Sequence, residues 1–184
     1  MQMFDIESLK SSVNAGSRPE FLFFWGHKAQ STMIGKHVLS QWWPASFSID
    51  GQIYPTAEHY MMAEKAKLFS DGQAYTNILA APSPSKAKAL GRKVRGFDEK
   101  LWVAQRFAIV LRGTTAKFEQ NAELKDWLIN TENLVIVEAS PVDKVWGIGL
   151  AASDERALDP RTWRGLNLLG FALMKARAIL TSCK

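Results

Sequence analysis

One stretch decides the fold of this chain: SFSIDGQIYPTAEHYMMAEKAKLF, residues 46–69. Asp50-Gly51 lies between two short apolar runs, and a type I′ hairpin turn needs positive φ at both central residues, which Asp and Gly tolerate. Pro55 then ends the second strand, and Thr56 can cap a helix over residues 57–69. We therefore predict a hairpin that leads directly into a helix.

One face of the predicted helix carries two charged residues among apolar ones. At about 100° per residue, Glu58, Met62, Lys65 and Phe69 fall on one stripe. Charge is costly inside an apolar face unless it is paired or used, so this stripe is the best candidate for a functional site. Structural alternatives stay open, because a carboxylate in the first turn is favoured by the helix dipole alone and a lysine can extend its amine to the edge of the face.

Length and composition indicate one globular domain. The 184 residues can bury one core, and 47% hydrophobic with 22% charged residues is ordinary for such a protein. No apolar run approaches the roughly 18 residues of a membrane span. The start lacks the basic and apolar regions of a signal peptide, so we expect a cytoplasmic protein without a membrane partner. The net charge of +5 permits an anionic ligand without requiring nucleic acid.

The sequence does not call for a metal ion or a cofactor. Cys183 is the only cysteine and therefore forms no internal disulfide, which fits a reducing compartment. Three histidines and one cysteine do not make a convincing metal site. His27 and His37 are expected to be polar loop residues, since no acidic or thiol cluster accompanies them.

The rest of the chain reads as helices with two further strands. Residues 21–25 and 134–138 are predicted as buried strands, because both runs are short, apolar and rich in aromatic or β-branched residues. Capping signals and periodicity predict helices over residues 5–14, 73–81, 84–94, 99–120, 121–130 and 166–180. The last helix is apolar nearly all round and should be central, with Arg177 as an ion-pair partner near its end.

Four motifs occur together and in order: Tyr54-Pro-Thr-Ala-Glu58-His59 with Lys65, Gly91-Arg92, Lys117-Phe118-Glu-Gln120, and Trp146-Gly-Ile-Gly149 with Trp163-x-Gly-x-Asn-Leu-Leu-Gly170. The ordered set resembles the NADAR family, the YbiA-like proteins named for association with NAD and ADP-ribose. The resemblance covers about residues 21 to 180. We accordingly divide the chain into an N-terminal extension or short helix, residues 1–20, and a NADAR-like N-glycosidase domain, residues 21–184.

The resemblance implies a compact α+β domain, mostly helical, with a small β-sheet. It also implies hydrolysis of an N-glycosidic bond at ribose C1′. Two substrate types are associated with the family: ADP-ribose attached to a nucleobase such as guanine, and phosphoribosylated aminopyrimidine intermediates of riboflavin biosynthesis. A module that binds ADP-ribose or an NAD derivative without turning it over is the alternative from another functional class.

Carried onto this chain, the family's acidic residue is Glu58, which we predict to be catalytic. An ionised carboxylate near C1′ stabilises the positive charge that builds on the sugar, and it can accept a proton from the attacking water. A helix N-terminus favours the ionised form and apolar burial disfavours it, so both roles stay open. The residues predicted to bind substrate are Trp25, Gln41, Lys65, Arg92, Asp143, Trp146, Gly147 and Asn167.

Several of these binding residues have a specific expected role. Trp146 can stack on a departing base, and Lys65 or Arg92 can hold phosphate. Asn167 is open between a hydrogen bond to ribose and one to the backbone. The glycines beside Trp146 either let backbone approach a ligand or make a bulge or turn.

The chain departs from the family pattern at two positions. In one branch of the family the residue after Trp-Gly is Asp, whereas Ile148 stands there in this chain. That change makes Asp143 the nearest substitute for a second carboxylate. The family's common Asn before its aromatic pair is Gln41 here, which keeps amide chemistry with a longer reach.

The balance of charge favours the larger of the two substrates. A diphosphate needs several anion contacts, and Arg92, Lys93 and Arg95 are clustered in the sequence. Seven Trp also offer surfaces on which flat rings can stack. We therefore expect an ADP-ribosyl N-glycoside, with ADP-ribosylated nucleic acid as a candidate form of it, ahead of a phosphoribosyl N-glycoside.

Overall fold

A computed structural model describes residues 4–26 and 33–182 and shows an α+β fold. The α-helices are α1 (Ile6–Asn14), α2 (Ala57–Leu68), α3 (Gly72–Leu79), α4 (Pro84–Gly91), α5 (Glu99–Glu119), α6 (Ala122–Ile129) and α7 (Leu168–Ser182). The strands are β1 (Phe21–Phe24), β2 (Phe47–Ile49), β3 (Gln52–Tyr54) and β4 (Val135–Glu138). The predicted fold class is therefore confirmed. His27 and Cys183 lie outside the described residues.

Contacts within the chain divide it into two compact units. The central unit comprises Gln41–Ala122 and contains the hairpin and α2 to α5. The terminal unit comprises Met1–Ser40 with Glu123–Lys184 and contains β1, β4, α1 and α7. The division into residues 1–20 and 21–184 stays a prediction.

The hairpin of the central unit forms as predicted. Asp50 and Gly51 have φ of 51° and 78°, as a type I′ turn requires, and β2 pairs with β3 in antiparallel register. Thr56 follows and caps α2, with its side-chain oxygen accepting a hydrogen bond from the His59 N–H. The first seven residues of α2, 57–63, are all buried, so this helix has no solvent-facing side in its first half.

The helices of the central unit start at predictable caps. The side chains of Asp71, Ser83 and Asp98 accept hydrogen bonds from the first turns of α3, α4 and α5. Helix α4 ends at Gly91, three residues before the predicted end at residue 94. A side chain at Gly91 would overlap the Met62 side chain, so α4 and α2 approach closely at that point.

Helices α2 and α5 pack side by side in opposite directions. Near the end of α2, the Lys65 amine lies 5.6 Å from the ring centroid of Trp102, in the first turn of α5. Further along, a side chain at Gly113 would overlap the ring of Tyr60. The two contacts pair early residues of one helix with late residues of the other, which is an antiparallel arrangement.

The terminal unit is built on a parallel pair of strands. Strand β1 pairs with β4 in the register Phe21↔Val135. The middle of β4 is fully buried, whereas β1 buries only Phe24 and leaves its other three residues half-buried. The strand predicted over residues 21–25 is confirmed over 21–24, but its burial is confirmed only at Phe24, and Trp25 is exposed beyond its end.

Helix α7 begins two residues later than predicted and is buried over most of its length. Arg177 donates to Thr131 Oγ1 (2.6 Å) and to the Leu134 carbonyl oxygen (3.0 Å), so its recorded partners are neutral, where an ion pair had been predicted. At the other end of the unit, Leu9 of α1 is fully buried. Residues 6–14 therefore contribute to the core of this unit.

Candidate functional site

Glu58 lies in the first turn of α2, and only 2% of its surface is exposed. Its backbone N–H donates to the Gln41 carbonyl oxygen at 3.0 Å, and the next two N–H groups donate to Thr56. These protein acceptors occupy the start of the helix, where a bound anion would otherwise find free N–H donors. The α2 N-terminus is therefore built to hold the Glu58 backbone in place, and a phosphate would need other contacts.

Gln41 joins the start of α2 to α5. While its carbonyl oxygen binds Glu58, its side-chain Nε2 donates to Thr114 Oγ1 at 3.3 Å. Thr114 is fully buried in α5. The amide chemistry predicted for Gln41 is thus used in a protein contact, and its predicted contact with substrate stays a prediction.

Lys117 is the residue of this region to which the sequence analysis assigned no role. It lies one turn after Thr114 on the same side of α5, is 1% exposed, and has its amine 5.1 Å from the Phe118 ring centroid. Burial lowers the pKa of Lys117 to about 7, so a large fraction of the amine is neutral at neutral pH. In the sequence, a role for Lys117 is indicated only by its position in the Lys117-Phe118-Glu-Gln120 motif.

The antiparallel packing of α2 and α5 brings Lys117 towards Glu58. The contact of Tyr60 with Gly113 and the link through Gln41 to Thr114 show that α5 passes the first turn of α2 just before residue 117. A buried acid and a buried amine with a lowered pKa are the kind of groups that perform acid–base or nucleophilic chemistry. This part of the central unit is the candidate catalytic centre.

Lys65 lies further along the same side of α2, and Arg92 lies at the end of α4, next to the residue that Lys65 contacts. The Lys65 amine donates to the Gly91 carbonyl oxygen (3.0 Å) and lies 4.3 Å from the Phe97 ring centroid, so two contacts within the protein already engage it. Burial lowers the pKa of Lys65. Arg92 follows at the end of α4 and is exposed. Phosphate binding by either residue stays a prediction, and of the two Arg92 has the accessible side chain.

In the terminal unit, the loop before Trp146 is organised by Asp143. Its Oδ1 accepts hydrogen bonds from the N–H groups of Val145 and Trp146, both at 2.8 Å. Trp146 itself is half-buried. Asp143 therefore has a structural contact that shapes this loop, and its role as a second carboxylate toward substrate stays a prediction.

The glycines beside Trp146 serve a close approach between backbones. A side chain at Gly147 would lie 2.7 Å from the Glu138 carbonyl oxygen, and one at Gly165 would overlap the Gly147 carbonyl oxygen. Asn167 and Leu169 donate their N–H groups to Gly147 and Trp146. The two segments of the fourth motif thus bind each other, which favours the turn over the ligand approach as the reason for these glycines.

Of the two partners considered for Asn167, ribose and backbone, the structure shows the backbone. It is fully buried, with Oδ1 accepting from the Glu138 N–H (3.0 Å) and Nδ2 donating to the Ile136 carbonyl oxygen (2.9 Å). These bonds tie the start of α7 to β4. Trp25, by contrast, is 62% exposed after the end of β1 and can accept a stacked ring.

The described residues offer neither a metal-binding cluster nor a membrane-spanning helix. Within residues 4–26 and 33–182, no group of three or more His, Cys, Asp or Glu is placed to hold a metal ion. In the same residues, no helix is both long and apolar enough to cross a membrane.

Residues 23–181 match the model of the NADAR domain family. The chain belongs to the NADAR domain family. The match covers most of the chain and includes every residue singled out above as a candidate, in both compact units.

Individual relatives agree with this NADAR assignment. The chain is 43% identical over 163 residues to a mimivirus protein named N-glycosidase R617, covering 86% of this chain and 95% of that protein. It is 33% identical over 135 residues to Escherichia coli N-glycosidase YbiA, and the match covers 73% of this chain and 74% of that protein. A maize protein named riboflavin biosynthesis protein PYRR, chloroplastic, is 34% identical over 132 residues, which are 68% of this chain but 19% of that protein.

The NADAR fold of the chain is also similar to a solved structure. The NMR structure of the E. coli protein YbiA matches with a TM-score of 0.70 and 26% identity, covering 90% of this chain and 88% of that one. The similarity extends over both compact units and agrees with the α+β architecture described above.

Proposed function

We propose that this NADAR protein is an N-glycosidase that hydrolyses the bond between ribose C1′ and a base nitrogen. The names of the mimivirus and E. coli relatives support the reaction type. The observation that carries the proposal is Glu58, a carboxylic acid 2% exposed in the first turn of α2 and held there by Gln41 and Thr56. Removing a carboxylic acid from water costs free energy of folding, so proteins keep such an acid where it is used or paired.

The proposed chemistry uses Glu58 against the sugar. As the C1′–N bond breaks, positive charge develops on the ribose, and a carboxylate held in a water-poor site stabilises that charge strongly. The same group can take the proton of the attacking water. Lys117 adds an amine with a pKa of about 7, which in its neutral form can accept a proton or attack C1′ directly. Neither role needs a metal ion.

An ADP-ribosyl group on a nucleobase of the guanine type is the proposed substrate. Arg92 and Lys93 are exposed at the end of α4, which packs against α2 one turn from Glu58 through the contact of Gly91 with Met62. These two cations can hold a diphosphate. Arg95 of the same cluster donates to Asp71 through two guanidinium nitrogens, so it is less available to a diphosphate than Arg92 and Lys93 are.

A phosphoribosylated aminopyrimidine of the riboflavin pathway is the second candidate substrate. It is favoured by the similarity to the maize protein whose name places it in riboflavin biosynthesis. Such a substrate carries one phosphate and one small ring, so Arg92 alone would satisfy its charge. A module that binds ADP-ribose without turnover is the remaining alternative.

One experiment separates the three candidates. The purified protein is incubated with ADP-ribosylated guanosine and, separately, with a phosphoribosylated aminopyrimidine, and the released base is measured by mass spectrometry. We expect base release at the higher kcat/KM from ADP-ribosylated guanosine. Release from the aminopyrimidine alone would support the riboflavin substrate. If neither base is released while ADP-ribose binds, the protein is a binding module and the enzymatic proposal is wrong.

A further inference from the structure

The residue next to Glu58 is a histidine that is enclosed within the protein. His59 is 1% exposed, and both of its ring nitrogens have partners in the central unit. Nδ1 lies 2.7 Å from Thr56 Oγ1, and Nε2 lies 3.1 Å from the Ala81 carbonyl oxygen, in the link between α3 and α4. The ring therefore bridges the cap of α2 and a segment 22 residues further along the chain.

The protons of this bridge can be placed from the donor inventory. A carbonyl oxygen only accepts, so His59 Nε2 must carry a proton and donate it to Ala81. The Thr56 hydroxyl already accepts from the His59 N–H, and it has one proton of its own to give, which goes to Nδ1. Every group is satisfied when the ring is the neutral Nε2–H tautomer. Burial, which lowers the pKa of His59, favours the same uncharged form.

The bridge acts on the part of α2 that carries the acid. The Glu58 N–H donates to the Gln41 carbonyl oxygen, and the ring of the next residue, His59, ties the same turn to Ala81. The first turn of α2 is therefore anchored to two other segments of the chain. A small error in placing a catalytic group lowers the rate by about 10²-fold, so such anchoring has a functional consequence.

We propose that His59 is a positioning residue whose ring holds the Glu58 turn through the Thr56–His59–Ala81 bridge. This inference rests on the proposed N-glycosidase function. His59 does not itself reach the reacting atoms, because both ring nitrogens are occupied and the ring is enclosed. Its removal should therefore lower kcat and leave KM nearly unchanged, since substrate contacts elsewhere are kept.

Four variants separate positioning from simple stability. His59→Gln keeps an amide donor where Nε2 lies and should retain the Ala81 contact, whereas His59→Asn keeps an acceptor near Nδ1 and loses Ala81. His59→Ala loses both contacts. His37→Gln is the control for a histidine-to-amide change at a partly exposed site, and it should match wild type.

The expected order of kcat is wild type, then His59→Gln within several-fold, then His59→Asn and His59→Ala lower by about 10²-fold, with KM changed less than about threefold. If His59→Asn keeps wild-type kcat, or if kcat follows the melting temperature irrespective of which contact is retained, the positioning role is wrong. If His59→Ala does not fold, the kcat of His59→Gln compared with that of His59→Asn tests the positioning role.

A spectroscopic readout tests the bridge without any substrate. In nitrogen-15 NMR of the wild-type imidazoles at pH 7, the signals assigned to His59 by their loss in His59→Gln should be those of the neutral Nε2–H tautomer. A charged ring or an Nδ1–H tautomer at this position would overturn the bridge. A wild-type protein that releases no base from either substrate would instead defeat the proposed function, and the two failures are thereby distinguishable.

Discussion

At the scale of single residues, the proposed site depends on two buried ionisable groups. Glu58 and Lys117 are both almost completely removed from water. Charged or polar groups in such positions cost free energy of folding, and natural proteins retain them mainly where they have a function. This cost makes the two residues testable through both stability and activity.

Glu58→Gln should lower kcat by at least about 10²-fold while the protein stays folded. Glutamine nearly keeps the shape of the side chain but removes the negative charge that the transition state needs. Activity on ADP-ribosylated guanosine and the thermal unfolding midpoint are measured together. Glu64→Gln on the same helix is the control, since that residue is ion-paired with Lys67 on the opposite side. Activity of the Glu58 variant within a few-fold of wild type, with equal stability, would exclude the catalytic role.

Lys117→Met should abolish turnover and remove the pH dependence of stability that the buried amine causes. The sign follows from the lowered pKa: between pH 7 and about 10.5 the unfolded chain binds a proton that the folded chain does not, so wild-type stability increases with pH over this window. The gap in unfolding free energy, wild type minus variant, should therefore become more positive from pH 7 to pH 9.5.

Urea unfolding at these two pH values measures that gap. Lys86→Met, at an exposed position of α4, should stay within about 0.5 kcal/mol of wild type at both. If that gap does not become more positive from pH 7 to pH 9.5, the lowered pKa of Lys117 is wrong.

At the scale of elements, the contact between α2 and α5 determines where the two proposed catalytic groups lie. Gly113 allows the two helices to approach until the Tyr60 ring fills the space of a side chain. Tyr60 in turn packs edge-on against Phe47 and Tyr54 of the hairpin, with ring centroids 5.9 Å and 5.1 Å away. A change at Gly113 is therefore transmitted to the hairpin and to the start of α2.

Gly113→Ala should destabilise the protein by on the order of 1–3 kcal/mol and lower kcat, because the added methyl group overlaps a ring that cannot move away. Gly72→Ala is the matched control, since nothing lies within 4 Å of the added carbon at the start of α3. That variant should be neutral or up to about 1 kcal/mol more stable. Equal unfolding free energies for the two variants would show that α2 and α5 are not closely packed at Gly113.

The edge of the hairpin explains another element of the motif set. Gln120, just after α5, accepts from the Ser48 N–H and donates to the Ser48 carbonyl oxygen, both at 2.8 Å, as a neighbouring strand would. The Lys117-Phe118-Glu-Gln120 segment thus combines a buried amine with a side chain that forms two hydrogen bonds to β2. Its two halves serve different purposes.

At the scale of the whole molecule, the question is which ligand the folded protein binds. A ligand that binds only the folded state raises its apparent stability. Free ADP-ribose should raise the melting temperature, and ribose 5-phosphate at the same concentration should raise it much less, because only the first offers a diphosphate to Arg92 and Lys93. Equal shifts, or none from ADP-ribose at millimolar concentration, would favour the aminopyrimidine substrate.

The whole-molecule proposal also includes independence from metal ions. Activity should be unchanged after treatment with EDTA, since Glu58 and Lys117 supply the proposed chemistry themselves. Activity that EDTA removes and one added divalent ion restores would show that the mechanism requires a metal.

The sequence by itself determined the local features of this protein. The Asp50-Gly51 turn, the Thr56 cap and the Ser83-Pro84 helix start were all predictable, because each depends on interactions within three or four residues. The charged stripe that contains Glu58 was also visible, since helical periodicity places residues on a face before any partner is known.

Only the tertiary structure decided what those faces meet. The burial of Lys117, the Asn167 bonds to β4, the neutral partners of Arg177 and the His59 bridge all join residues distant in sequence or depend on packing. The free-energy cost of burying the Lys117 amine depends on neighbours that are present only in the folded chain. The same is true of whether the Asn167 amide binds backbone or stays available to a ribose.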